Sequence, residues 1–243
     1  MWSVVHVPTE AAEDRRQAHR ELLTLKRDRA RATNRIKGLL ANQGVVVEVR
    51  GDFLGQLDQV RVWDGRPLSA GLRGRLEREW AKVALLTGQI QMLEAQRQEA
   101  LQTAADPVVE QVRQLLRLRG IGTNSAWLYV MEFFGWRAFR NRREVGALAG
   151  LTPTPYQSGA SSREQGIAKA GNRYVRAMAI EIAWGWLRFQ PESALSQWYE
   201  ARFGQGSSRV RRIGIVALAR RLLVELWRYL ETGAVPAGAV VKA

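Results

Sequence analysis

Residues 10–42 contain no proline and no glycine before Gly38, and within them Leu22, Leu25, Arg29, Ala32, Ile36 and Leu39 step by three and four. Such spacing gathers all six on one side of an α-helix and makes a coiled-coil seam. Arg15, Arg16, Arg20, Arg27, Arg31 and Arg35 decorate the other faces. The pattern breaks over 47–67, where short β-like pieces at 46–49 and 60–63 lead to an Asp64-Gly65 turn and Pro67. It resumes over about 69–103, with Leu72, Leu76, Val83, Leu86, Ile90 and Leu93 at near-heptad spacing. Two long helices around an irregular insertion form an antiparallel hairpin over 1–106. Its seam closes either on itself or against a second copy.

Asp106-Pro107 marks a boundary, and the expected organisation continues with a compact helical domain at 107–233 and a flexible tail at 234–243. The fold class is all-α. A helix at 108–118 ends in Arg119-Gly120-Ile121-Gly122, and a second helix starts near Thr123 and Asn124, which is a helix-hairpin-helix pattern. Gly120 and Gly122 allow close backbone approach, and the helix start offers N–H groups that grip a phosphate without reading bases. Arg117 and Arg119 stand beside it; the plainer alternative is an αα-turn that needs glycine for its dihedrals. Asn141 and Glu144 make a capping-box signature for a helix that ends at Gly150, after which Leu151-Thr152-Pro153-Thr154-Pro155 leads away. Residues 156–170 read as a polar, hydroxyl-rich loop. A helix over 172–187 has Arg173 and Arg176 on one side and Val175, Met178, Ala179 and Ile182 on the other. The last helix, 209–232, opens with Arg209, Arg211 and Arg212 and carries a core stripe of Ile213, Val216, Leu223, Leu226, Trp227 and Leu230 up to Gly233.

Composition narrows the chemistry. With no cysteine and two histidines, His6 and His19, thiol nucleophiles, disulfides and cysteine- or histidine-rich metal sites are excluded. No apolar run is long enough for a membrane helix, and the start has no secretory pattern, so the expected location is the cytoplasm, with no membrane partner. The 37 basic and 23 acidic residues give a net charge of +14, and 19 basic against 9 acidic residues fall within 107–232. Eighteen of those 19 are arginine, whose planar fork suits phosphate oxygens, so nucleic acid is the expected partner. The acids Glu110, Glu132, Glu144 and Glu181 are scattered, and Glu10, Glu13 and Asp14 sit where a helix dipole favours acids, so no self-contained metal site is expected. Among hydroxyls, Ser158 is best placed as a nucleophile, with Arg163, Lys169, Arg173 and Arg176 to supply positive charge. No histidine lies near it, and a solvated linker is the plainer reading of this serine-rich loop.

Four motifs occur in order: Leu115-Leu116-Arg117-Leu118-Arg119-Gly120-Ile121-Gly122; Gly146-Ala147-Leu148-Ala149-Gly150-Leu151-Thr152-Pro153; Gln157-Ser158-Gly159; and Gly166-Ile167-Ala168-Lys169-Ala170-Gly171-Asn172-Arg173-Tyr174-Val175-Arg176. Together they resemble the C-terminal domain of bacterial insertion-sequence transposases of the DEDD type, relatives of the Piv invertase. Residues 5–44, with Asn34-Arg35-Ile36-Lys37-Gly38-Leu39-Leu40, are similar to the segment leading into that family's coiled coil. The resemblance implies an N-terminal RuvC-like domain with four acidic residues and Mg²⁺, a coiled coil, and a serine-bearing domain that recombines DNA through a serine–DNA intermediate under a structured guide RNA. The nucleophile maps to Ser158, with Ser161 and Ser162 as substitutes. The RuvC-like domain would lie before Val5, where only four residues stand, so a truncated form is expected. It would carry no cofactor of its own, Mg²⁺ entering only with the missing domain. The expected nucleic-acid contacts are Arg117, Arg119, Gly120, Gly122, Arg163, Lys169, Asn172, Arg173 and Arg176. The expected partners are DNA, a structured guide RNA and a second copy through the coiled coil. The alternative function is a catalytically silent nucleic-acid-binding and dimerising module.

Overall fold

The computed structural model describes residues 7–158 and 161–242, with 155–158 and 161–165 described as backbone only. Among the described residues the fold is all-α apart from one two-stranded hairpin. It divides into two units, one formed by Gln17–Gln102 and the other by the residues before and after it.

In the first unit, α1 (Glu10–Ala41) and α3 (Ala70–Thr103) form the expected antiparallel hairpin. Arg35 Nη1 donates to Glu79 Oε2 at 2.8 Å, Lys26 pairs with Glu94 at 2.6 Å, and Arg97 meets His19 at 2.8 Å, so sequence positions rise on one helix as they fall on the other. The seam closes within this chain: Leu22, Ala32 and Ile36 from α1 are buried, as are Leu76, Val83 and Ile90 from α3. Burial holds the Arg97 guanidinium down at about 10, well below free arginine. The insertion differs from expectation. Between the two expected β-like pieces, of which 46–49 is irregular and 60–63 holds a single bridge, lies a short helix, α2 (Phe53–Gln59), started by Asp52, whose carboxylate accepts the Gly55 N–H. Phe53, Leu57 and Val60 pack with Ile36, Leu40 and Leu76, so the insertion forms its own part of the core. The Asp64-Gly65 turn is present, with Gly65 at φ +82° and a single bridge between Arg61 and Pro67.

The second unit is built around α9 (Ser208–Thr232), which packs against α4 (Pro107–Arg117), α6 (Arg142–Leu148), α7 (Arg173–Phe189) and α8 (Ala194–Tyr199). Each start follows from local chemistry. Asp106 accepts the Val108 N–H with Pro107 in the first turn, Asn141 accepts the Arg143 and Glu144 N–H groups, and Ser193 caps α8. The Glu144 carboxylate reaches back to the Arg140 N–H, one residue before the cap. The stretch 190–204, which has no helical pattern of its own in the sequence reading, holds α8 and a π-turn, Glu200–Gly204. Helix α5 (Thr123–Tyr129) widens into a second π-turn, Val130–Phe134, whose residues are all buried.

Two further expectations are corrected. Residues 156–170 are not a plain loop: β1 (Pro153–Ser158) and β2 (Ser161–Ile167) pair antiparallel, with Ser158 opposite Ser161. The 234–243 tail is not free either. Arg119 N donates to Val240 O and Lys242 N to Arg117 O, forming a short ladder on the α4–α5 turn. Lys242 Nζ donates to Leu116 O and Ile121 O, both at 2.8 Å, and the Gln190 side chain ties Arg119 O to both polar groups of Val240. Six hydrogen bonds, each near the low end of a net 0.5–1.5 kcal/mol because Val240 and Lys242 are exposed, predict that removing residues 240–243 lowers stability by about 3 kcal/mol. Urea denaturation of the shortened chain checks this; an unchanged midpoint would show that the ladder contributes nothing.

Candidate nucleic-acid interface

The loops around α6 and α7 meet by close backbone contact. Ala168 N donates to Thr152 O, Lys169 N to Gly150 O and Asn172 N to Leu148 O, so 148–152 and 168–172 run against each other. Glycine is required at both crossings. A Cβ on Gly150 would lie 2.3 Å from Ala170 O, and one on Gly171 would lie 2.2 Å from Leu148 O. Asn172 caps α7 through its carbonyl oxygen, and its amide donates to Glu132 Oε2 at 3.1 Å. Arg176 Nη1 donates to Lys169 O and Ala149 O, and so locks the same junction from the other side. Asn172 and Arg176, both expected at a phosphate, are thus engaged by the protein itself.

Glu132 is buried on the π-turn, within 3.7 Å of Arg16. Arg16 and Arg137 both lie over the Trp136 ring, at 4.6 and 4.1 Å from its centre. Burial, and next the nearby Arg16, hold Arg137 below the usual arginine range, with Glu132 opposing. Removing the carboxylate would leave Arg16 with Glu13 alone, Arg137 without its opposing charge and the Asn172 amide without its acceptor, so Glu132→Ala is expected to cost about 3 kcal/mol and Glu132→Gln, which keeps an acceptor for Asn172, clearly less. Thermal melts of the two variants check the order.

Beside this junction lies a groove of about 1080 Å³. Helix α9 supplies one wall with Arg209, Arg212, Arg220, Arg221 and Arg228. Arg142 and Arg143 from the first turn of α6, Arg202 from the 200–204 π-turn, and Lys169 complete nine cationic side chains; Glu225, paired with Arg228 at 2.8 Å, is the carboxylate among the lining residues. Crowded like charges raise the local potential and oppose folding, so an arrangement of this kind is stabilised when an anion occupies it. Lys169 sits at φ +55°, in the left-handed region that non-glycine residues seldom adopt, held there by the glycine crossings.

Of the expected contact residues whose side chains are described, Lys169 alone lines this groove. Arg173 is exposed at the start of α7 and folds over Tyr174 at 4.8 Å. Arg117 and Arg119 are exposed at the α4–α5 turn, where Gly120 adopts φ +93° and Gly122 caps α5; this turn carries the tail ladder. The side chains of Ser158 and Arg163 lie outside the described residues. The backbone places Ser158 five residues along β1 from Pro153 at the groove edge, roughly 17 Å by strand rise. The groove arginines were missed although the signal was present: 209, 212, 220, 221 and 228 fall on one side of a helix. Ile213 and Val216, expected in the core, line the groove, and Ile213 is 58% exposed; Gly214, Ile215, Leu218, Ala219, Leu222 and Leu226 face the interior instead.

Residues 112–199, which contain the glycine crossings and the β-hairpin, match the family described as Transposase IS116/IS110/IS902. The chain is 30% identical over 235 residues to the "Probable family 20 transposase" of Pseudomonas aeruginosa, covering 94% of this chain and 67% of that protein. The chain belongs to this transposase family. It is also 44% identical to "Putative transposase y4rJ" of Sinorhizobium fredii, over 99% of this chain and 63% of the relative. It is 27% identical to the "Transposase for insertion sequence element IS1328" of Yersinia enterocolitica, over 95% of this chain and 68% of the relative. It therefore spans about two thirds of the length of these transposases. Among the described residues no three His, Asp or Glu side chains stand together as metal ligands. No helix of the described residues is long and apolar enough to cross a membrane.

Proposed function

We propose that this chain acts in transposition of insertion-sequence DNA: the α6–α9 groove holds the DNA backbone, and Ser158 on the adjoining hairpin is the nucleophile. The observation that carries this reading is the groove itself, with nine cations against one paired carboxylate among the described residues, in a chain of a transposase family. The four acidic residues of the DEDD type belong, in this reading, to a RuvC-like domain that works with the serine-bearing unit. A structured guide RNA and a second copy meeting the helical hairpin are its further partners. Co-purifying RNA and light scattering test these two.

Binding to duplex DNA should weaken steeply with salt, because each neutralised phosphate releases about 0.9 counterion. Changing Arg209, Arg212 and Arg220 together to glutamine should flatten the log–log salt slope by about 2.7 and weaken binding at 0.1 M salt by roughly 10²–10³-fold. A slope equal to that of the unaltered chain would move the DNA away from this groove. The alternative, a catalytically silent binding module, requires the same groove and differs at Ser158 alone.

A further inference from the structure

The groove is more than a phosphate cradle, because its floor is apolar. Trp198 of α8 and Ile213, Val216, Ala217 and Val224 of α9 lie between the arginines. A duplex presents phosphates, sugars and base edges, and keeps its base faces stacked inside. A half-buried indole topped by an exposed guanidinium, and a 58% exposed isoleucine, on the floor of such a groove have nothing to bury against a duplex backbone. An unpaired strand offers both chemistries at once: phosphates for the rim and base faces for the floor.

The stacking element is already assembled. The Arg221 guanidinium lies over the Trp198 ring, 4.1 Å from its centre, with Arg202 at 5.8 Å. Phe203 meets the indole edge-on, with ring centres 5.6 Å apart, and so fixes its plane. Guanidinium and indole planes are the two protein surfaces on which unstacked bases rest. We infer that the groove takes an unpaired DNA strand, one base of which stacks on the Trp198–Arg221 pair while its phosphates follow the arginines of α9. This rests on the reading that the groove binds DNA, and it adds which form of DNA the groove prefers.

The test measures binding of the full chain to a fluorescent oligothymidylate of about 12 nucleotides, a typical single-strand site size, and to a blunt duplex. Trp198→Ala should weaken oligothymidylate binding by about tenfold or more, while duplex binding and both salt slopes stay within error, since no phosphate contact is lost. Trp198→Phe should retain most of the single-strand affinity. Arg221→Lys keeps the charge but not the plane, and should weaken the single strand several-fold more than the duplex. These two milder variants carry the test if Trp198→Ala fails to fold. Equal losses for both DNA forms, or none for either, would overturn the stacking inference. If the triple arginine variant also leaves both forms unchanged, the groove does not bind DNA and the wider reading falls with it. If that variant weakens both while the Trp198 and Arg221 variants weaken neither, only the stacking inference falls.

Discussion

Ser158→Ala should abolish every covalent protein–DNA adduct formed when this chain is combined with a RuvC-like domain and insertion-sequence DNA, while leaving DNA affinity unchanged. The step at stake is a phosphoryl transfer. The Ser158 Oγ–P bond forms, a P–O bond to the deoxyribose breaks, and the hydroxyl proton ends on the departing sugar oxygen. Positioning and positive charge do most of the work in such transfers, so without the hydroxyl the remaining groups have nothing to attach to phosphorus. The expected loss is complete for the adduct, against less than twofold for binding, because Pro153, where β1 meets the groove, stands roughly 17 Å along the strand from Ser158. Denaturing gels of the mixture check this. An adduct that survives in Ser158→Ala and disappears in Ser161→Ala or Ser162→Ala would reassign the nucleophile. The absence of any adduct from the unaltered chain in a recombination-competent mixture would favour the silent-module reading.

Gly171→Ala is expected to destabilise the unit that contains it by more than about 4 kcal/mol, comparable to the whole stability of a marginal domain. Gly171 has φ +112°, a conformation that L side chains rarely adopt, and its Cβ would lie 2.2 Å from the Leu148 carbonyl oxygen. Neither chain can retreat. Asn172 N is bonded to Leu148 O, Lys169 N to Gly150 O, and Arg176 grips both sides. Gly88→Ala is the matched control: it lies inside α3 with nothing within 4 Å of a Cβ, and should stabilise by about 0.5–1 kcal/mol. Hydrogen exchange read by segment separates the two effects. A Gly171→Ala chain with unchanged protection over 142–189 would mean that the crossing relaxes more easily than its geometry implies.

Where a single side chain answers its own backbone, the sequence was a good guide. Asp106-Pro107, Asn141, Asn172 and Gly233 mark helix ends in the sequence, and the structure shows each in that role. The periodicity of 22–39 and 72–93 found the helical hairpin for the same reason, since three-and-four spacing is a property of one helix. The β-hairpin escaped because its strands are polar and glycine-punctuated: they are held by a backbone ladder, with no alternating apolar face to announce it. The core stripe of α9 was misassigned at Ile213 and Val216 because apolar spacing cannot distinguish a face turned to the core from a face that floors a groove. Asn172 and Arg176 looked like phosphate ligands next to Lys169, and only the tertiary crossing of 148–152 with 168–172 shows them holding the backbone instead.

The ladder between 240–242 and 117–119 has a consequence for how the chain is made. The carbonyls of Leu116, Arg117 and Ile121 wait for partners encoded about 125 residues later, a delay of roughly 6–25 s at ordinary rates of translation. Arg16, synthesised still earlier, likewise waits for Glu132. The helical hairpin over 17–102 has a buried core of its own and can form on the ribosome, whereas the serine-bearing unit stays open until residues 240–242 emerge.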